Sequence, residues 1–210
     1  MYVLEQFKVD DLSYPDSKFT FILESPYHQE VKKGYPAAGN SGINMSKILF
    51  ELDEPLGKLV ASQGYLIPKL SLLNCSRIPL QRSCYGALEL KRDFINFLEI
   101  QNMNDAPIHI LKDKIKGKLR TKLGLQAIDS FRSRLIENIT HCTNPKLIIC
   151  GVIAQCFFEE ATNLDCKFRK PTEVNWEGHD FNVFYEYHPS PKSRKWSNRS
   201  KMVGLLKFMC

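Results

Sequence analysis

Four short apolar runs rich in strand formers recur along the chain: Phe19 to Leu23, Leu70 to Asn74, Lys146 to Gly151 and Phe181 to His188, each bounded by turn residues. Between them lie stretches of helical character, Asn44 to Leu52, Leu88 to Glu99, Ala127 to His141, Val152 to Asn163 and Ser197 to Met209. Strands that alternate with helices are joined by crossovers, which lay the strands parallel and put helices on the sheet faces. The expected fold is therefore α/β, a three-layer α/β/α sandwich around a central, mostly parallel four-stranded sheet. With 210 residues and 43% hydrophobic content, the chain can build one core, and a single domain over residues 1–210 is expected. Gly57 to Gly64 and Asn102 to Pro107 read as connectors inside it.

No apolar run approaches the length of a bilayer span, and Met1 to Asp10 lacks the basic-then-apolar pattern of a signal peptide. A monomeric protein of the cytoplasm, without membrane contact, is the expectation. The seven cysteines are an odd number without CxxC pairs, and several sit in apolar runs where a reduced thiol packs as a small hydrophobe. Neither a disulfide framework nor a metal site is expected, and no cofactor.

The net charge of +6 is moderate, but its basic residues are bunched. From Lys112 to Lys122 a Lys or Arg stands at every second position, and a second cluster brings Lys192, Arg194, Lys195 and Arg199. Such clusters attract phosphate backbones. For the first, a solvated surface loop explains the pattern equally well; the second follows directly on His188-Pro189-Ser190-Pro191, and a nucleic-acid contact is the stronger expectation there.

Ligands of open parallel sheets bind where strands end. Here Phe21-Ile22-Leu23 breaks into Glu24-Ser25-Pro26-Tyr27-His28, and Tyr185-Glu186-Tyr187 breaks into His188-Pro189-Ser190-Pro191. Two strand ends carrying His, Glu and Ser are expected to face one cleft. The segment after Pro26 passes through Gly34, Pro36, Ala37, Gly39, Ser41 and Gly42 into a helix, a turn that offers free N–H groups to an anion. Alone, that turn fits a generic phosphate loop as well as anything more specific. Asn74 ends its strand with an amide that can both donate and accept, and is in isolation an ordinary turn former.

In these blocks the chain resembles the uracil-DNA glycosylase superfamily. Pro26-Tyr27-His28 is similar to the water-activating motif of its uracil-cleaving branch, with Ser25 where that branch has its catalytic aspartate. Glu24-Ser25-Pro26, Glu30 and the Gly34, Pro36, Gly39, Gly42 spacing resemble instead the iron-sulfur branch. The aromatic residue that stacks on the base there falls at Ala37, which implies a roomier pocket, and the cluster-binding cysteine pair is absent, so no iron-sulfur centre is expected. Asn74 matches the asparagine that reads the Watson-Crick edge of an extruded base, and His188-Pro189-Ser190-Pro191 matches the second motif, whose histidine donates to the departing base. The run Pro145 to Gly151 and the helix after it resemble scaffold.

The resemblance implies a monofunctional DNA glycosylase, a hydrolase that cuts the N-glycosidic bond of a flipped-out nucleotide and leaves an abasic site. Glu24 or Glu30 would favour the sugar cation and orient water, and His188 would hold the charge of the leaving base, the two kinds of group standing at opposite ends of the sugar–base linkage. Ser25, Tyr27, Ala37 and Asn74 would form the base pocket. Gly39, Ser41, Ser190, Lys192 and Arg194 would clamp the DNA strand, and Trp196 would take the wedge role. A pocket without Ala37's ring and Ser25's aspartate suits a bulky modified pyrimidine, such as a modified cytosine in phage DNA, and hence antiviral defence. Uracil-DNA glycosylase activity in repair, and a catalytically silent DNA-binding module on the same fold, are the alternatives.

Overall fold

The computed structural model describes residues 2–63, 66–102, 107–191 and 194–210. Its sheet has five strands, β1 (Phe19–Leu23), β2 (Leu70–Asn74), β3 (Lys146–Cys150), β4 (Thr172–Trp176) and β5 (His179–Glu186), in the order β2-β1-β3-β5-β4. The first four in that order are parallel and correspond to the four expected runs. β1 and β2 are buried at every position, and β3 at all but its first residue, as strands covered on both faces must be.

β4 is an addition to the expected sheet. It pairs antiparallel with β5 from Thr172↔Val183 to Trp176↔His179, across a two-residue turn in which Glu177 and Gly178 both have positive φ. That turn matches the twist of the strands it joins. Along Thr172–Trp176 only the last residue is buried, the pattern of a half-exposed edge strand.

Helices cover both faces. Short α1 (Tyr2–Glu5) and α2 (His28–Lys33) flank β1 in sequence. α3 (Asn40–Phe50), α4 (Leu56–Ala61) and α9 (Val203–Met209) belong with a core layer built on Phe19, Phe21, Leu23, Leu72, Ile148 and Phe184. α5 (Arg92–Leu98), α6 (Ile108–Leu119), α7 (Lys122–Thr140) and α8 (Val152–Thr162) pack on the opposite face, against Ile22, Leu147, Ile149, Val183 and Tyr185. Odd residues of β1 thus face one layer and even residues the other, the period-2 alternation of a strand. Cys75, Cys150, Cys156 and Cys166 are buried within these layers. No described helix is long and apolar enough to cross a membrane.

Candidate functional site

The strand order lines up four positions at the C-terminal edge of the sheet. Asn74 ends β2, Glu24 follows β1, Gly151 follows β3 and His188 lies two residues beyond β5. Glu24 reaches across its neighbour strand to α8, where its Oε1 accepts the N–H of Ile153 at 3.2 Å. A carboxylate at a helix N-terminus is favoured by the partial positive charge there. Its Oε2 stands 3.7 Å from His188 Nε2; the carboxylate side chain is only 12% exposed and the imidazole 37%, so the ring forms the outer surface of the pair.

Gly151 makes this proximity possible. Its φ is +99°, and a β-carbon there would come within 2.3 Å of Glu24 Oε1 and 3.1 Å of His188 Cβ. Its N–H donates to the carbonyl of Glu186, which holds the turn to the end of β5. His188 is fixed from the other side: its Nδ1 accepts the N–H of Ser190 at 3.0 Å. A ring nitrogen that accepts carries no proton, so the neutral imidazole keeps its proton on Nε2, the atom nearest Glu24.

Several expected roles change. Glu24 and His188 do converge, but side by side; a gap of 3.7 Å has no width for a nucleobase between them. The two groups therefore do not stand at opposite ends of a space that a base could fill. Glu30 is a structural brace: its Oε2 accepts the N–H of Tyr27 at 2.7 Å and its Oε1 that of Ala37 at 2.6 Å. Each oxygen is held by one backbone amide, which fixes the segment from Tyr27 to Ala37. Burial pushes its carboxyl up to about 7, against the two amides that favour the ionised form.

Ala37 is 2% exposed, lies in the left-handed region at φ 53° and packs in the α3 layer, so its small side chain opens no space for a base. Its carbonyl accepts from Gly57 and would lie 1.8 Å from a β-carbon at Gly42; Gly42 is required by this close approach. Ser25 Oγ accepts the N–H of Leu80 at 3.4 Å, and Tyr27 stands 49% exposed with its ring edge-on to His28. Gly39 precedes α3 and Ser41 lies in its first turn; Asn44, one turn on, donates to the carbonyl of Pro189 at 3.2 Å. The helix start and the HPSP block are thereby joined.

Asn74 is fully buried, and both atoms of its side-chain amide lack a hydrogen-bond partner. By strand alternation it follows Leu70 and Leu72 toward the α3 layer. Its backbone, in contrast, is fully engaged: its N–H donates to Asp11 Oδ1 at 3.1 Å and its carbonyl accepts from Arg134 at 2.9 Å. Asp11, Arg134 and Gly151 are the site residues that the sequence did not single out. Glu186 joins them, with no exposed surface, its Oε1 accepting the N–H of Tyr187 at 2.8 Å and its Oε2 3.3 Å from Arg169 Nε. Burial raises the carboxyls of both Asp11 and Glu186.

Of the expected DNA contacts, Lys192 lies outside the described residues. Ser190 is partly exposed and Arg194 exposed, beside Lys195, whose ammonium stands 5.0 Å from the centre of the Tyr187 ring. Trp196 is not a wedge. It is 2% exposed, packs in the α3 layer and donates its indole N–H to the carbonyl of Tyr187 at 2.8 Å. The first basic cluster is a helix rather than a loop, and its charges are largely spent inside the protein: Lys112 and Lys116 both pair with buried Glu159, Lys118 with Glu99 and Arg120 with Glu160. Two clefts, of about 430 and 320 Å³, open at the opposite, N-terminal edge of the sheet. No protein-family model matches the chain, and no curated protein matches it in sequence.

Proposed function

We propose that the chain is a DNA glycosylase that hydrolyses the bond between sugar and base of an extruded nucleotide. The observation that supports this most directly is the Glu24–His188 pair across Gly151, a carboxylate held against α8 beside a half-exposed imidazole whose Nδ1 accepts and whose Nε2 therefore carries the proton. As the glycosidic bond breaks, its electron pair leaves with the base, positive charge grows on the sugar and negative charge on the base oxygen. A carboxylate held at the start of α8 favours the sugar cation and orients the water, whose oxygen bonds to C1′ as one of its protons passes to the carboxylate and from there, through solvent, to the freed base. The Nε2–H, which lies nearest Glu24 in the free protein, donates to the oxygen of the leaving base as negative charge develops there. The product is an abasic site and a free base.

The preferred substrate in this proposal is a bulky modified pyrimidine of phage DNA. Its support is Ser25 in place of an aspartate, since the Ala37 side chain is packed in the core. Duplexes carrying uracil, hydroxymethylcytosine or glucosylated cytosine, treated with the protein and then with alkali, separate this from uracil repair by which strand breaks. Glu24→Gln and His188→Ala should each lower base release by at least about a hundredfold while DNA binding survives. A silent DNA-binding module is favoured by one observation, the contact distance of Glu24 and His188, which leaves the pair closed on itself. On that reading the unmutated protein binds DNA and frees no base.

A further inference from the structure

Asn74 ends the outermost parallel strand, and its backbone groups point away from β1, because the next N–H, that of Cys75, is the one that donates to Leu23. One turn of the strand earlier, Leu72 meets Leu12 in a backbone bridge on this outer side. At Asn74 the bridge is replaced by side chains. Asp11 takes the N–H at 3.1 Å; the two terminal nitrogens of Arg134, reaching from α7, donate at 2.9 Å to the carbonyls of Asn74 and of Cys75, and Arg134 also bonds Asp11. Arg134 Nε is itself tied back to the Ser130 carbonyl at 3.1 Å. The two charged side chains are only 12% and 10% exposed.

A buried ion pair is a poor means of gaining stability, since the desolvation of two charges offsets most of their attraction. It is a good means of fixing geometry. Here a fork of fixed shape pins the main chain at 74 and 75, while the Asn74 side chain, completely buried, is given no partner at all. An amide so placed lacks one acceptor and one donor inside the protein, and a base edge carries both.

We infer that Asp11 and Arg134 are positioning residues that hold Asn74 for base reading, a clamp acting on the edge of the sheet from outside the pocket. The inference rests on the proposed function, in that Asn74 must meet a base. Both carboxylate and guanidinium are required: a lysine at 134 has donors but not the planar fork that meets the two carbonyls and Asp11 from fixed directions, and an asparagine at 11 loses the charge that orients the guanidinium.

The test is a double-mutant cycle between Arg134→Lys and Asn74→Ala, read in single-turnover base release and in the affinity for duplexes bearing 2′-fluoro-deoxyuridine or 2′-fluoro-deoxycytidine, relative to the same duplex with an abasic site. The 2′-fluorine slows cleavage, so binding is measured separately from chemistry. Arg134→Lys alone should lower the base-dependent part of binding about tenfold, and in the Asn74→Ala background it should have no further effect. Asp11→Asn serves in the same cycle if Arg134→Lys does not fold. Effects that multiply, or base-dependent binding unchanged in a folded clamp variant, overturn the inference. Protein that binds these duplexes base-dependently but frees no base refutes the hydrolase reading and leaves the cycle decisive in binding; protein that does neither refutes both.

Discussion

A single β-carbon at position 151 would meet Glu24 and His188 together. Gly151→Ala should therefore abolish base release and destabilise the fold by about 2–4 kcal/mol, from a strained positive φ plus displacement of the pair; activity and urea denaturation measured together check this. Glu30 carries a different prediction. Its folded carboxyl titrates at about 7 against 4.5 in the unfolded chain, so between those values unfolding releases a proton. Stability should be highest below about pH 4.5 for this group and fall by about 3 kcal/mol as pH rises through 7. Glu30→Gln should flatten that part of the stability profile, followed by urea midpoints from pH 4 to 8. Asp11 and Glu186, also raised by burial, contribute with the same sign. Glu24 and His188 were legible in the sequence because each follows an apolar strand run at a proline-bearing break. The bracing contacts of Glu30 and the burial of Trp196 were not legible, since an acid in a loop looks the same with or without two amides on it, and an aromatic after a loop motif looks the same buried or exposed.

The basic helix shows the same ambiguity one scale up. Charges at every second position look like a solvated stretch, yet Lys112 and Lys116 are one helical turn apart and so share the face that meets Glu159. Only the packing of α6 on α8 reveals the acid that neutralises them. Replacing both lysines by alanine should cost about 3–5 kcal/mol, because Glu159 is left charged and buried without a partner. The same variant should leave the salt dependence of DNA binding unchanged. Arg194→Ala should do the reverse, leaving the melting temperature near its original value and reducing the slope of log K against log salt by about 0.9. The parallel strands were legible as continuous apolar runs; β4 was not, since an edge strand with alternating burial lacks such a run.

At the scale of the whole molecule, the fold earns its functional relevance from the strand order. β2-β1-β3-β5 places Asn74, Glu24, Gly151 and His188 side by side at one edge, although they are separated by as many as 164 residues in sequence (from 24 to 188). The layered α/β arrangement was readable from alternating patterns alone. What was not readable was how closely the first and last motifs approach, because that depends on a glycine in a third strand-to-helix turn and on the tautomer set by the Ser190 N–H. The role proposed for this edge is to break a glycosidic bond. The most direct measurement incubates the protein and its Glu24→Gln variant with genomic DNAs of different base modification, then identifies freed bases by mass. The account predicts one free pyrimidine from the unmutated protein and almost none from the variant; DNA recovered with every base in place would contradict it.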